Sequence, residues 1–286
     1  MNFTLGLPNG SMQDPLCDLL SRIGLDVRPT GRNGQVSVDG LDLFSQAVYM
    51  RPQDIPAALL KRQIDCGICG LDCVVEAELA QAGEFDTRIQ RLQELRFSRD
   101  TRDPARVVLF GRPDSPRLSQ NATVTISSEY PAITRDRYPN ADIDFSHGST
   151  DIKVAMKLFD YGVGVTITGI SLRENGLEIA DEFMVSPIVV IAHNRIPELV
   201  ALGDLMAGAL EAENQQLIKL NVDNLQRIAV LEALPARRAP TLSRLSDCAS
   251  AIEVVVPRSQ TAGLLIRLRG LGATDIVVQD INAIVG

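Results

Sequence analysis

The chain of 286 residues has no tryptophan, and aromatic residues make up only 4% of it. Surfaces that stack unpaired bases need such rings, so binding of single-stranded nucleic acid is disfavoured. Positive charge is also short: 28 Lys and Arg stand against 36 Asp and Glu, a formal net charge of −8. Duplex nucleic acid and anionic membranes attract proteins through excess cations, so neither is an expected partner. A small phosphate-bearing ligand stays open, because a few local donors decide that. No apolar run is long enough to span a bilayer. The first residues, Met1 to Leu7, lack the basic region and long apolar stretch of a secretory leader, and a cytoplasmic location is expected. The five cysteines fit a reducing compartment better than a disulfide framework.

What is present is 45% hydrophobic and 22% charged, in a chain long enough for two or three domains with sizeable cores. Strand patterns alternate with helical ones through the first two thirds. Strands are expected at Phe3–Leu7, Ala47–Met50, Cys66–Cys69, Val107–Gly111, Thr123–Ser127, Asp142–Phe145, Gly162–Thr166 and Val185–His193. Helices are expected at Asp14–Ile23, Asp54–Lys61, Pro131–Tyr138 and Ile152–Phe159, with Arg99–Pro104 as a loop. The alternation predicts an α/β fold of two lobes with parallel, helix-covered sheets and a ligand cleft between them. Pro197–Asn214 reads as a long connecting helix. Beyond it the order changes to strand Gln216–Asn221, helix Leu225–Leu234, loop Ala236–Pro240, strands Thr241–Leu245 and Ile252–Val256, helix Gln260–Leu271 and strand Asp275–Val278. That is the β-α-β-β-α-β order of a ferredoxin-like unit.

Three strand-to-helix turns carry hydroxyls and glycine: Ser127-Ser128-Glu129-Tyr130, Gly148-Ser149-Thr150, and Thr168-Gly169-Ile170-Ser171. Backbone N–H groups and hydroxyls at helix starts suit a phosphate, and three such turns on one sheet converge at its carboxyl edge. Arg51, just after a strand, is a candidate to face the same cleft. The run Cys66-Gly67-Ile68-Cys69-Gly70-Leu71-Asp72-Cys73 could offer three thiolates to a metal. It has no nearby fourth Cys or His, and small residues in a short apolar strand read better as packing. His147 lies in a loop that could reach the ligand, and His193 ends an apolar strand.

These residues, taken in order, resemble the long form of ATP phosphoribosyltransferase. The matching pieces are Pro8-Asn9-Gly10, Arg51-Pro52-Gln53-Asp54-Ile55-Pro56, Asp65 to Asp72, Ser128-Glu129-Tyr130-Pro131, Gly148-Ser149-Thr150-Asp151, Thr168-Gly169-Ile170-Ser171-Leu172 with Asn175-Gly176-Leu177, and Ala239-Pro240-Thr241 with Leu271-Gly272-Ala273. The resemblance implies two periplasmic-binding-protein-like lobes and a C-terminal ferredoxin-like regulatory domain. The first lobe is expected at 1–107 with 183–200, the second at 108–182, and the connecting helix with the regulatory domain at 201–286. It further implies transfer of phosphoribosyl from phosphoribosyl pyrophosphate (PRPP) to N1 of ATP, with Mg2+, as the first step of histidine biosynthesis. PRPP is expected at Thr168, Gly169, Ile170, Ser171, Leu172 and Asp151. ATP is expected at Asn9, Gly10, Ser11, Arg51, Gly70 and Asp72. Histidine is expected to act as an inhibitor through a region marked by Thr241 and Ala273, and the protein to assemble as a homodimer or homohexamer.

Several positions depart from the family pattern. Asn9 and Ser11 stand where Lys and Arg are usual, Gly164 where the phosphate loop usually begins with an acidic residue, Ile167 where Ser precedes the Thr, and Asp151 where Glu is usual. The usual Phe-Gly-x-Cys segment is replaced by Phe97-Ser98-Arg99-Asp100 and the residues after it. The lost acidic residue would hydrogen-bond ribose hydroxyls, a contact worth roughly 1.5–3 kcal/mol. Two other readings follow from the departures: a phosphoribosyltransferase with another heterocyclic acceptor, and a non-catalytic ligand-binding paralogue. Arg99, Arg102 and Arg106 are candidates to restore charge.

Overall fold

A computed structural model describes residues 3–30, 34–81, 89–97, 103–118, 124–235 and 239–286. The chain divides into two compact units, Met1–Gly203 and Asp204–Gly286.

The first unit holds two sheets. The larger has seven strands in the order β2-β3-β4-β1-β5-β12-β6, formed by β1 (Phe3–Pro8), β2 (Asp26–Pro29), β3 (Gln35–Asp39), β4 (Phe44–Met50), β5 (Cys66–Gly70), β6 (Gln90–Leu95) and β12 (Ile188–Ala192). Its centre, β4-β1-β5, is parallel, while β12 runs antiparallel to both β5 and β6. Helices α1 (Gln13–Arg22), α2 (Asp54–Leu60) and α3 (Leu71–Ala80) follow β1, β4 and β5. Each buries an apolar stripe, such as Leu16, Leu19 and Leu20 on α1. The three central cysteines, Cys66, Cys69 and Cys73, are free and buried. Burial pushes each thiol up, which keeps it protonated.

The smaller sheet has the order β11-β7-β10-β8-β9, formed by β7 (Ala105–Gly111), β8 (Thr125–Ser128), β9 (Asp142–Phe145), β10 (Tyr161–Thr166) and β11 (Glu178–Ser186). Strands β10, β8 and β9 are mutually parallel, and β7 is antiparallel to its neighbours β10 and β11. The period of two along β7 sends Val107 and Leu109 into one core with Ile126, Ile133 and Val163. Val108 and Phe110 enter the core on the other face with Val154, Leu172 and Leu177. Helices α4 (Pro131–Arg137), α5 (Thr150–Ala155) and α6 (Ile170–Glu174) follow β8, β9 and β10.

The expected α/β architecture is present, with three corrections. The sheets are mixed rather than parallel. Val185–His193 is not one strand: Pro187 has no N–H to continue a ladder, and β11 ends before it in one sheet while β12 begins after it in the other. The expected lobe limits at Val107 and Glu182 fall inside β7 and β11, so the chain changes sheets outside those points. The expected loop over Arg99–Pro104 lies mostly outside the described residues, as does most of Ala236–Pro240.

Helix α7 (Pro197–Ala212) runs through the division between the units. The second unit contains β13 (Gln215–Asp223), α8 (Arg227–Ala233), β14 (Thr241–Arg244), β15 (Ala249–Pro257), α9 (Thr261–Gly270) and β16 (Thr274–Asp280). Its sheet order, β14-β15-β13-β16, is antiparallel throughout and is the ferredoxin-like arrangement expected from sequence. Ile218, Leu220, Ile252, Val254, Leu264 and Leu268 form its own core.

Candidate active site

The parallel strands β10, β8 and β9 end at one sheet edge, and the three hydroxyl-rich turns meet there. The turn between β10 and α6 is held from within. Gly169 adopts φ of 70°, the left-handed region, and its N–H donates to Thr166 Oγ1 at 2.9 Å. Ile170 N–H donates to Thr168 Oγ1 at 3.4 Å. Asp151 on α5 supports the turn from the side, accepting from Ser171 Oγ at 3.2 Å and Asn175 Nδ2 at 3.0 Å. Arg106 supports it from below: it pairs with Glu182 at 2.8 Å and donates to the carbonyl of Ile167 at 3.4 Å. Leu172, expected among the binding residues, turns its side chain into the core beneath the turn.

Facing this turn is the start of α3. Gly70 is required there by a close approach, because a Cβ on it would lie 2.1 Å from Asp72 Oδ1. Asp72 is only 6% exposed. Its carboxylate accepts hydrogen bonds from Ser186 Oγ and from the Tyr130 hydroxyl, and Ser186 Oγ accepts in turn from Asp72 N–H at 2.9 Å. Burial, and then the Asp72 charge, pushes the Tyr130 phenol up and keeps it a donor. One turn along α3, Glu76 accepts from the N–H groups of Ala132 and Ile133 at 2.8 and 2.9 Å, capping α4 of the other lobe. Burial pushes Glu76 up, although both N–H bonds pull it down.

Between these elements lies a cavity of about 570 Å³ that brings Ser11, Gly70 and Asp72 together with Thr168, Ile170 and Ser171. A neighbouring cavity of about 980 Å³ is lined by Arg51 and His147 and shares Gln53, Cys73, Glu129 and Tyr130 with the first. Two groups of expected residues thus converge. Asn9 and Gly10 precede Ser11 without lining either cavity, and Gly169 and Asp151 shape the turn from behind. His147 packs edge-on against Phe145, with ring centres 4.5 Å apart. Of the arginines expected to restore charge, Arg106 is engaged with the turn, and Arg99 and Arg102 lie outside the described residues.

Four contributors escaped sequence reasoning: the carboxylate of Glu129, Tyr130 as a donor to Asp72, Ser186, and Glu76 as a cap. Glu76 left a signal in its spacing of four from Asp72 on a helix, and Glu129 and Tyr130 in the hydroxyl-rich turn Ser127–Tyr130, though not in these roles. Among the described residues no group of three His, Cys, Asp or Glu side chains could hold a metal ion. No helix among the described residues is long and apolar enough to cross a membrane.

In the C-terminal unit, Thr241 lines a separate cavity of about 220 Å³ with Leu217, Glu253 and Val285. Ala273 is buried beside the start of β16, the opposite edge strand from β14, so this unit alone does not bring the two positions together.

Comparison with known proteins gives this geometry a family. The HisG model, ATP phosphoribosyltransferase, matches residues 51–209, and the HisG C-terminal domain model matches 212–283. The ATP phosphoribosyltransferase of Desulforudis audaxviator is 31% identical over the whole of both chains, and that of Koribacter versatilis is 32% identical, again over the whole of both. Among solved structures, the ATP phosphoribosyl transferase (HisG:HisZ) complex from Thermotoga maritima contains a similar fold. It has a TM-score of 0.59 at 22% identity and covers 73% of this chain and 98% of that one. With its catalytic and C-terminal models both matched, the chain belongs to the ATP phosphoribosyltransferase family, in its long form.

Proposed function

We propose that the cavity between the turn at Thr168–Ser171 and the start of α3 is where this transferase joins N1 of ATP to C1′ of PRPP. The observation that carries the reading is the convergence, in one cavity, of a turn rich in hydroxyls and N–H groups from one lobe with Ser11, Gly70 and Asp72 from the other. In the reaction the N1 lone pair attacks C1′, the bond from C1′ to the pyrophosphate oxygen breaks, and pyrophosphate leaves with the electron pair. No covalent enzyme intermediate is needed, so the protein's work is positioning and charge stabilisation. The turn binds the 5′-phosphate of the donor through Thr168, Gly169, Ile170 and Ser171, with Asp151 holding Ser171 in place. Arg51, in the adjoining cavity, meets ATP phosphates.

Mg2+ accompanies the diphosphate. It is a hard cation that keeps several waters and takes one or two carboxylates plus substrate oxygens, so it needs no protein cage. Asp151, which holds Ser171 and Asn175 from behind the turn, is not assigned to the ion. Histidine acts on the C-terminal unit, where the cavity at Thr241 supports the reading. Dimers or hexamers form through edges such as β14, an exposed strand with one unpaired side. The reaction belongs in the cytoplasm with the rest of histidine synthesis.

The test is direct: purified protein with PRPP, ATP, Mg2+ and pyrophosphatase yields phosphoribosyl-ATP, followed by absorbance and mass. Folded protein that binds PRPP but forms no such product overturns the choice of acceptor, and protein that binds no PRPP overturns the site.

A further inference from the structure

We propose that Glu129 is the carboxylate that holds the ribose hydroxyls of the phosphoribosyl donor, lying over the bare backbone of Gly164. The proposal rests on the reading of this cavity as the donor site.

On one face of β10, Gly162 and Gly164 carry no side chain before Thr166, and Phe110 and Thr150 cover Gly162. Glu129, in the β8–α4 turn, lies over Gly164 beside the Phe110 ring. A Cβ built on Gly164 meets Glu129 Oε1 at 3.5 Å and Cδ at 3.7 Å, ordinary contact distances. A carboxylate therefore occupies the position that an acidic side chain at residue 164 would reach, but it arrives from the neighbouring strand.

Glu129 is also posed for a ligand. It is half-buried and lines both cavities. Thr150 Oγ1 donates to its Oε1 at 2.8 Å, which fixes the side chain, while Oε2 accepts no hydrogen bond among the described residues. Burial, with the Asp151 charge, pushes its carboxyl up, opposed by the Thr150 bond and by Lys153. Lys153 Nζ itself donates to Ser146 Oγ at 2.9 Å. A half-buried carboxylate with lone pairs to spare is relieved by neutral O–H donors. A pair of adjacent sugar hydroxyls supplies two, and the phosphate turn in the same cavity would hold the other end of a sugar phosphate.

The test compares ribose 5-phosphate with 2-deoxyribose 5-phosphate as ligands, by calorimetry and by competition with PRPP, in EDTA so that no metal contributes. Wild-type protein is expected to prefer ribose 5-phosphate by about 10- to 100-fold, the worth of a hydrogen bond to a charged group. E129Q and E129A should bring the preference below about threefold, whereas T150V, which removes only the support, should keep most of it. The double variant E129A/G164D should regain the preference, a rescue that a purely structural role for Glu129 would not produce. A preference unchanged in folded E129Q and E129A overturns the proposal and leaves the donor site standing. Wild-type protein that binds neither sugar phosphate nor PRPP overturns the donor site and the proposal together.

Discussion

Glu76 and Asp72 sit one turn apart on α3, and both spend their carboxylates on the other lobe. Asp72 does so through the Tyr130 side chain, and Glu76 through two backbone N–H groups that would otherwise be unpaired at the start of α4. Burial raises the Glu76 pKa above its ordinary 4.5, ahead of the opposing N–H bonds and Arg135, with Asp72 adding to the rise. The sign of its effect on stability follows. Below about 4.5 the folded and unfolded chains are both protonated at this group, and it contributes nothing. As pH rises, the unfolded chain releases its proton first, so the folded state loses stability until the pH passes the raised value. The stability of wild-type protein minus that of E76Q, read from urea midpoints between pH ~4 and ~7, is therefore expected to fall as pH increases. A difference that grows with pH would mean that the N–H bonds outweigh burial.

Elements show where sequence pattern was enough and where it failed. The turn at Gly169 was legible because its glycine, hydroxyls and following helix are contiguous. Its φ of 70° yields a prediction: Gly169→Ala forces an L side chain into the left-handed region with a Cβ only 3.2 Å from Arg173 Nη1. Stability should drop by about 1–2 kcal/mol, and KM for PRPP should rise several-fold while KM for ATP changes little, as steady-state kinetics would show. The strands β6 and β11 were not legible. Residues Gln90–Leu95 are mostly polar, with only Leu92 and Leu95 buried, so no period of two stands out. In β11 the register shifts twice against β7, between Ile179 and Asp181 and between Glu182 and Met184. Each shift breaks the alternation that marks a strand. The same limit applies to the site. Gly164 read as a missing carboxylate, and only the pairing of β8 beside β10 brings Glu129 to that spot. No spacing along the chain encodes it.

For the whole molecule, the ferredoxin-like unit has a core of its own, buried between residues 218 and 273 with Ile276 and Val278 packed against it. Leu220 is 2% exposed within it. Leu220→Ala is expected to cost about 2–5 kcal/mol and to lower the melting of this unit by calorimetry. PRPP affinity, with the proposed site in Met1–Gly203, should stay within about twofold. A large loss of affinity in the folded variant would mean that the two cores are energetically one.

The chain passes between the two sheets of the first unit twice, and the second passage is Ser186-Pro187. That short segment is tied to the start of α3: Leu71 N–H donates to the Pro187 carbonyl at 2.9 Å, and Asp72 N–H to Ser186 Oγ. The helix that grips the crossover is thus the one whose Asp72 and Glu76 grip the opposite lobe. Any shift of one sheet against the other at Pro187 therefore strains the start of α3, and with it the hydrogen bonds that Asp72 and Glu76 make to the opposite lobe.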